Sequence, residues 1–254
     1  MIPTSPNSCS GDSDKDGLGA RMKAQYEDRA RYMLPRRTWA VVRCDGKAFH
    51  TFTRGCDKPF DAFFHSAMVA AATALCEEAQ GAKMGYAQSD EISVVLTDFD
   101  NIGTEAWFDG NVQKIASVAA SVVTMAFNEA YRHHGETTRA VFDARVFTIP
   151  DPVEVENYLI WRQKDAIRNS VSGLAQAHFS SKQLHGLKRS EMLNQLLGIG
   201  VDWNASPIHV QRGTVIHRAE RGWIADYESP VFTDDREYMR RSLAINDAVC
   251  GVRT

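Results

Sequence analysis

Six stretches of the chain carry a periodic apolar pattern, and their order defines a fold. Thr38-Trp39-Ala40-Val41-Val42-Arg43-Cys44 is a short, strongly apolar run suited to a buried strand, and Asp45-Gly46 ends it. Phe60, Phe63, Phe64, Ala67, Met68, Ala71 and Leu75 then recur at steps of three and four, which predicts an amphipathic helix of about four turns. Residues 82–87 and 92–97 follow as two strands, the second alternating Ile92, Val94 and Leu96 against Ser93, Val95 and Thr97. Between them Gln88-Ser89-Asp90-Glu91 makes a hairpin with a polar, acidic tip. Residues 111–131 predict a second helix with Val112, Ile115, Ala119, Val122 and Phe127 on its buried stripe. Residues 139–148 alternate Val141, Asp143, Arg145 and Phe147 against Phe142, Ala144 and Val146, a fourth strand. The order βαββαβ predicts a four-stranded antiparallel sheet with two helices on one face, the split-βαβ arrangement of an α+β fold.

The flanks differ in character. Residues 1–17 are rich in Ser, Pro, Gly and Asp, the composition of a flexible arm. Asp12, Asp14, Asp16 and Gly17 match the start of a calcium-loop pattern, but its last position is Lys23 and not a bidentate acid, so a solvated acidic arm is expected. Residues 18–32 are charged and helical in pattern, and Leu34-Pro35 breaks them off. After Pro150 the chain becomes mostly helical. Asp151 is an acidic cap, Pro152 stands at the first helical position and Glu154 follows three residues after the cap, so a helix starts here. It should run to about Phe179, roughly 40 Å at ~1.5 Å per residue. A shorter helix over 190–197 stops at Gly198, and residues 213–219 read as one more strand. The expected division is an arm (1–17), a catalytic domain (18–150) and a helical extension packed on it (151–254).

Composition narrows the classes. The 254 residues, 44% hydrophobic and 24% charged, exclude fibres and bulk disorder. Basic residues number 29 and acidic ones 32, a net charge of −3, so any nucleic-acid site must be a local patch. Cys9, Cys44, Cys56, Cys76 and Cys250 form no CxxC pair, and His133, His134 and His217 give no ligand spacing with them, which argues against zinc. Cys44 and Cys76 sit in apolar runs as small buried hydrophobes. No apolar run has the length of a membrane span and the N-terminus lacks the order of a secretion signal, so a reducing cytoplasm is expected.

Chemistry then concentrates at one place. In a split-βαβ sheet the first and third strands are central neighbours, so Asp45 at the end of one converges with Asp90 and Glu91 at the hairpin tip. Carboxylates brought together repel unless a cation lies between, and hard oxygen ligands with open positions suit Mg²⁺ carrying a nucleoside triphosphate. Gly46, without a side chain, lets a ligand approach the backbone. Two such ions can clamp both oxygens of a phosphoryl displacement, the palm arrangement of nucleotide polymerases and cyclases. The alternative for Asp45 is a turn-capping residue, and for the tip a solvated turn. Arg162, Asp165, Asn169, Ser172 and Gln176 form a polar stripe on the long helix that faces either solvent or the nucleotide or RNA, with Ile160, Val171, Leu174 and Ala175 as core contacts. Arg36-Arg37, Lys182, Lys188-Arg189 and Arg240-Arg241 are the basic patches open to an RNA backbone or to solvent alone.

Four motifs in order carry a resemblance. Arg43-Cys44-Asp45-Gly46-Lys47-Ala48-Phe49-His50-Thr51-Phe52, Lys58-Pro59-Phe60-Asp61, Tyr86-Ala87-Gln88-Ser89-Asp90-Glu91-Ile92-Ser93 and Trp161-Arg162-Gln163-Lys164-Asp165 resemble the tRNA-histidine guanylyltransferase superfamily, the 3′-to-5′ RNA polymerases. The resemblance spans residues 18–220 and implies a palm-like (ferredoxin-like) catalytic domain. It implies two Mg²⁺ ions on Asp45, the Gly46 carbonyl and Asp90, with Asp45 and Asp90 catalytic. It also implies a nucleotide contacted by Asp45, Gly46, Lys47, Ala48, Phe49, His50, Ser89 and Asp90, and triphosphate oxygens on Lys58. Glu91, Arg162, Asp165, Asn169, Lys188 and Arg189 are further candidate contacts to nucleotide or RNA.

The implied substrates are ATP, GTP or other NTPs and a tRNA with an incomplete 5′ end, and the implied assembly is a homotetramer. Where the branch that places one guanosine on tRNA-histidine has His-Ile-Asn-Asn-Leu-Tyr-Asn, this chain has Ile167-Arg168-Asn169-Ser170-Val171-Ser172-Gly173. His178-Phe179-Ser180 and Leu184-His185-Gly186 look more like the bacterial and phage guanylyltransferase-like branch, whose implied role is template-directed tRNA 5′-end repair. The alternatives are single-G addition at position −1, a palm-fold nucleotide cyclase, and a non-enzymatic RNA-recognition module. The last is disfavoured because Val41, Val42, Ile92 and Val94 stand where that module needs exposed aromatics.

Overall fold

The apolar run at residue 38 forms β1 (Trp39–Gly46), an inner strand of a six-stranded sheet, preceded by the exposed helical turn α1 (Leu18–Met22). The computed structural model describes residues 17–132 and 139–245. The arm before Gly17, the acids of the calcium-loop pattern, Cys9, Cys250, His133 and His134 lie outside the described residues. After β1 come the short α2 (Phe49–Phe52), α3 (Ala62–Glu78), β2 (Ala82–Gln88), β3 (Glu91–Leu96), α4 (Val112–Arg132) and β4 (Phe142–Ile149), the predicted βαββαβ order. Then follow α5 (Pro152–His178), α6 (Ser181–Leu184), α7 (Arg189–Gly198), α8 (Ile208–Arg212), β5 (Thr214–Ala219), β6 (Gly222–Asp226) and α9 (Arg236–Leu243).

The strands lie in the order β4-β1-β3-β2-β5-β6, antiparallel throughout. Four strands were expected here and a fifth beyond them. The sheet instead continues past β2 into the β5–β6 hairpin, with Met84 to Ala87 paired against His217 to Thr214. β1 alternates its side chains between two cores, as a strand covered on both faces must. Val42 and Cys44 pack with α3 and α4, while Trp39 and Val41 pack with α5 and α9. A smaller cluster of Leu174, Ala175, Leu184 and Leu196 joins the end of α5 to α6 and α7.

Local chemistry explains the element ends. Asp61 caps α3 by accepting from the Phe64 nitrogen over 2.8 Å, and Asp151 caps α5 by accepting from the Val153 nitrogen over 2.7 Å. Two predicted stripes shift in detail. Phe63 is exposed, and the buried line on α4 is Ile115, Ala119, Val123, Phe127 and Tyr131, with Val112 and Val122 only half-buried beside it. Steps of four place Val123 inward, whereas its neighbour Val122 is turned ~100° away. Residues 18–30 are helical as expected but change winding, through a π-turn over Lys23–Glu27 and a 3₁₀ turn over Asp28–Ala30. Among the described residues no helix is long and apolar enough to cross a membrane.

Candidate active site

Register brings the predicted acids to one end of the sheet. Asp45 is directly opposite Glu91 on β3 and Asp143 on β4, and Glu91 is opposite Gln88 on β2. By alternation with Val41, all four share the α5 face, in a row that runs Asp143, Asp45, Glu91, Gln88. Asp90 stands at the two-residue hairpin tip beyond the row, and the Gly46 nitrogen donates to its carbonyl over 3.0 Å. Ser89, at φ 49°, turns the chain there and donates from Oγ to the Asp90 carboxylate over 3.1 Å.

The carboxylates differ in environment. Burial raises the Asp90 pKa and the charge of Asp45 adds to the rise, partly offset by the hydrogen bond from Ser89. Neither Asp45 nor Asp90 has an ion-pair partner among the described residues. Glu91 has one. Its Oε2 accepts from Arg162 Nη1 over 2.7 Å, with both side chains buried. Burial raises its pKa, opposed by Arg162 and Arg43. Arg162 is also stacked 3.6 Å from the Trp161 ring centroid and lies 3.5 Å from Asp165. Glu91 and Arg162 were expected among the nucleotide or RNA contacts. The structure seals the two as an ion pair between β3 and α5, where the pair holds the hairpin in place.

The site suits a hard divalent cation. Two carboxylates without a basic partner, one of them resisting ionisation, gain from a positive charge between them. Among the described residues no three His, Cys, Asp or Glu are placed so as to hold a metal ion by themselves, so the remaining ligands would have to be oxygens of a bound phosphate, the Gly46 carbonyl and water. That sparse donor set is the usual one for Mg²⁺.

The loop after β1 supplies cations. The Lys47 nitrogen donates to the Val141 carbonyl over 2.8 Å, and Ala48, at φ 56°, starts α2. A cavity of about 420 Å³ opens beside it, lined by Lys47, Ala48, Thr51, Gly55, Tyr131 and Arg139 among others. Arg139 belongs to no motif and escaped sequence reasoning. The Cβ side of Gly46 is filled by the Phe49 ring, which a Cβ there would meet at 2.3 Å, so the missing side chain makes room for that ring. Phe49 itself is buried, packed within 6 Å on Phe52, Phe64, Phe127 and Phe142, so its ring anchors the loop.

Other candidates are placed as follows. His50 is exposed on α2. Lys58 is exposed and its Nζ donates to the Thr53 carbonyl over 3.0 Å, so it closes its own loop. Asp165 pairs with Arg162 and Arg168, and Asn169 is exposed a turn further along α5. Lys188 and Arg189 are exposed at the start of α7, whose Leu196 packs with Leu174 of α5, ~18 Å along that helix from Arg162. They do not join the carboxylate row. Arg36 is consumed by Asp98 over 2.6 Å and Asp109 over 3.3 Å, and Arg240 by the fully buried Glu156 over 2.9 Å.

Carboxylates without an ion-pair partner among the described residues at the end of a palm-type sheet, followed by a loop whose Lys47 lines a cavity with Arg139, define a nucleotidyltransferase. Residues 19–150 match the Thg1 family, described as tRNAHis guanylyltransferase, and the chain belongs to that family. A bacterial tRNA(His) guanylyltransferase (Thg1)-like protein solved in complex with ATP is 43% identical over 90% of this chain and all of its own, with a TM-score of 0.85. A structure of such a protein in complex with GTP is 40% identical over 91% of this chain and all of its own, with a TM-score of 0.79. The uncharacterized protein R259 of Acanthamoeba polyphaga mimivirus is 31% identical, covering 79% of this chain and 77% of its own length.

Proposed function

We propose that this nucleotidyltransferase extends the 5′ end of tRNA in the 3′-to-5′ direction, reading the opposite strand, and so repairs incomplete 5′ ends. The observation that supports it is the placement of Asp45 and Asp90 at one end of the sheet, with no ion-pair partner among the described residues, and of Lys47, two residues after Asp45, in a cavity with Arg139. The reaction has two parts. A 5′-monophosphate is first activated by ATP or GTP, which joins a nucleotidyl group to it and releases pyrophosphate. The 3′-hydroxyl of an incoming NTP then attacks the activated phosphorus, the nucleoside monophosphate leaves, and the new 5′ end carries the triphosphate.

Lys47 and Arg139 hold the triphosphate oxygens of the incoming nucleotide as charge-assisted donors. Asp45, Asp90 and the Gly46 carbonyl would hold Mg²⁺, which would supply a lowered pKa for the attacking hydroxyl and an offset to phosphate charge. Ser89 orients the Asp90 oxygen, and the buried Glu91–Arg162 pair fixes the hairpin that carries it. The ATP and GTP found in the bacterial relatives are consistent with these substrates.

Two features favour repair over single-G addition. Residues 167–173 keep only the Asn at 169 of the His-Ile-Asn-Asn-Leu-Tyr-Asn pattern, and the two structures at 40% identity or more are of bacterial Thg1-like proteins. The second reading, one G placed on tRNA-histidine, has the family description in its favour. The test is incubation of 5′-truncated tRNA transcripts with Mg²⁺, ATP and labelled NTPs. Addition that follows the opposite strand on tRNAs other than histidine's supports repair. One G added to tRNA-histidine alone selects the second reading, and a cyclic product from NTP without RNA removes both.

A further inference from the structure

A cavity of about 760 Å³ opens at the other end of the sheet, between the start of β2, the end of β5 and α9. Along β1, Ala40 is level with Leu96 and Ala82 while Asp45 is level with Glu91 and Gln88, so the cavity floor lies ~17 Å from the carboxylates. Lys83, Asp100, His217, Arg218, Tyr238 and Arg241 give it its chemistry. The acid there is already engaged: Asp100 accepts from Lys83 Nζ over 2.6 Å and from Thr97 Oγ1 over 3.0 Å. Tyr238 spends its hydroxyl on Asp226 over 2.5 Å. Arg218 and Arg241 are exposed and have no carboxylate within ion-pair distance among the described residues. Arg218 lies 5.6 Å from the Trp223 ring, which steadies its stem.

The dibasic pair at residues 240 and 241 is thus split by the fold. Arg240 turns inward to Glu156, while Arg241 faces the cavity. Two unmatched guanidinium groups in a concave site form a local positive patch on a chain of net charge −3, and guanidinium is the side chain that best matches phosphate geometry. We infer that this cavity binds the sugar-phosphate backbone of the RNA whose 5′ end is at Asp45 and Asp90. The inference rests on the proposed function for the choice of RNA, but its chemistry, phosphate on Arg218 and Arg241, is independent of the reaction. The site is a grip, remote from the chemistry, that reads backbone and not sequence.

The test compares the wild-type chain with the double variant Arg218→Ala/Arg241→Ala and the charge-keeping Arg218→Lys/Arg241→Lys, with thermal unfolding measured in parallel. Affinity for a tRNA transcript is measured from ~50 to ~200 mM salt. We expect the alanine pair to bind about tenfold more weakly or worse in mid-range salt, and its slope of log affinity against log salt to fall by about two. The lysine pair should keep most of the slope. The KM for ATP and the rate at saturating RNA should stay at wild-type values in both. Unchanged affinity and slope in a folded alanine pair would overturn the inference. Free nucleotide is the other source of phosphate: if tripolyphosphate binds an Asp45→Asn/Asp90→Asn variant and loses that binding with Arg218 and Arg241, the site serves nucleotides and the RNA assignment is overturned. A lowered salt slope in a protein whose wild type adds no nucleotide would uphold the grip while sinking the proposed reaction.

Discussion

The backbone nitrogen of Gly46 donates to the backbone carbonyl of Asp90 over 3.0 Å, one step past the Asp45–Glu91 pairing that ends the β1–β3 ladder. Asp45 and Asp90, far apart in sequence, are therefore set in place by main-chain bonds and not by each other's side chains. Either carboxylate can be removed without undoing the geometry that positions the other.

Asp90 should cost the unliganded protein stability. Burial and then the charge of Asp45 hold its folded pKa above the ordinary value, so the unfolded chain loses that proton first. Stability is full below the ordinary carboxylate range and is lost as pH rises through the raised pKa. Asp90→Asn is expected to raise the thermal midpoint at neutral pH without Mg²⁺, an advantage that vanishes below about pH 4. Mg²⁺ should raise the wild-type midpoint and leave that of Asp90→Asn unmoved. Scanning fluorimetry across pH with and without Mg²⁺ checks both.

Arg162→Met leaves Glu91 buried without its cation and is expected to cost roughly 3 to 5 kcal/mol. Glu91→Met/Arg162→Met replaces the pair by apolar groups and should recover most of that loss. Urea unfolding of the three proteins measures the difference. A double variant no more stable than Arg162→Met would show that the pair does not act as a unit.

Lys47 and Arg139 are exposed, so alanine at either should leave folding unchanged. Each would remove one charge-assisted bond to the triphosphate, worth about 1.5 to 3 kcal/mol, or roughly tenfold or more. Steady-state kinetics should show the KM for NTP rising by that factor, with the KM for RNA untouched.

His65 provides a pH signature away from the active site. Its Nε2 lies 3.2 Å from Thr214 Oγ1 and its ring 4.5 Å from that of His209, with Tyr227 alongside. Burial, then the neighbouring His209, lowers its pKa to about 4. The unfolded chain takes up this proton near pH 6.5 and the folded one only near 4. Stability present above 6.5 is therefore lost as pH falls through that window, by roughly 3 kcal/mol at most. His209, also lowered by burial, adds in the same direction. His65→Gln should flatten the fall in denaturant midpoint between pH 6.5 and 4.

Periodicity made β1 to β4, α3, α4 and α5 readable, because each buries one face or both and spells that out in apolar letters. It failed at β6. Gly222–Asp226 is five residues long with Ile224 half exposed at the sheet edge, too short and too wet to give a strand signal. The convergence of Asp45 with Asp90 was legible from topology alone. The fates of Glu91, Arg162 and Phe49 were not: polar letters at a strand tip suggest exposure, and only the packing of α5 over β3 reveals a buried ion pair. Arg139 enters its cavity from the chain just before β4 and belongs to none of the motifs, so only the structure assigns it a partner in Lys47.

The most direct test of the site is the rate of labelled GTP addition to a 5′-truncated tRNA by wild type, Asp45→Asn and Asp90→Asn, each with its circular dichroism and thermal midpoint. Loss of ~4 kcal/mol of transition-state stabilisation is about a thousandfold in rate. The account predicts a fall of that order in both variants with folding intact. Addition near the wild-type rate by either folded variant would contradict it.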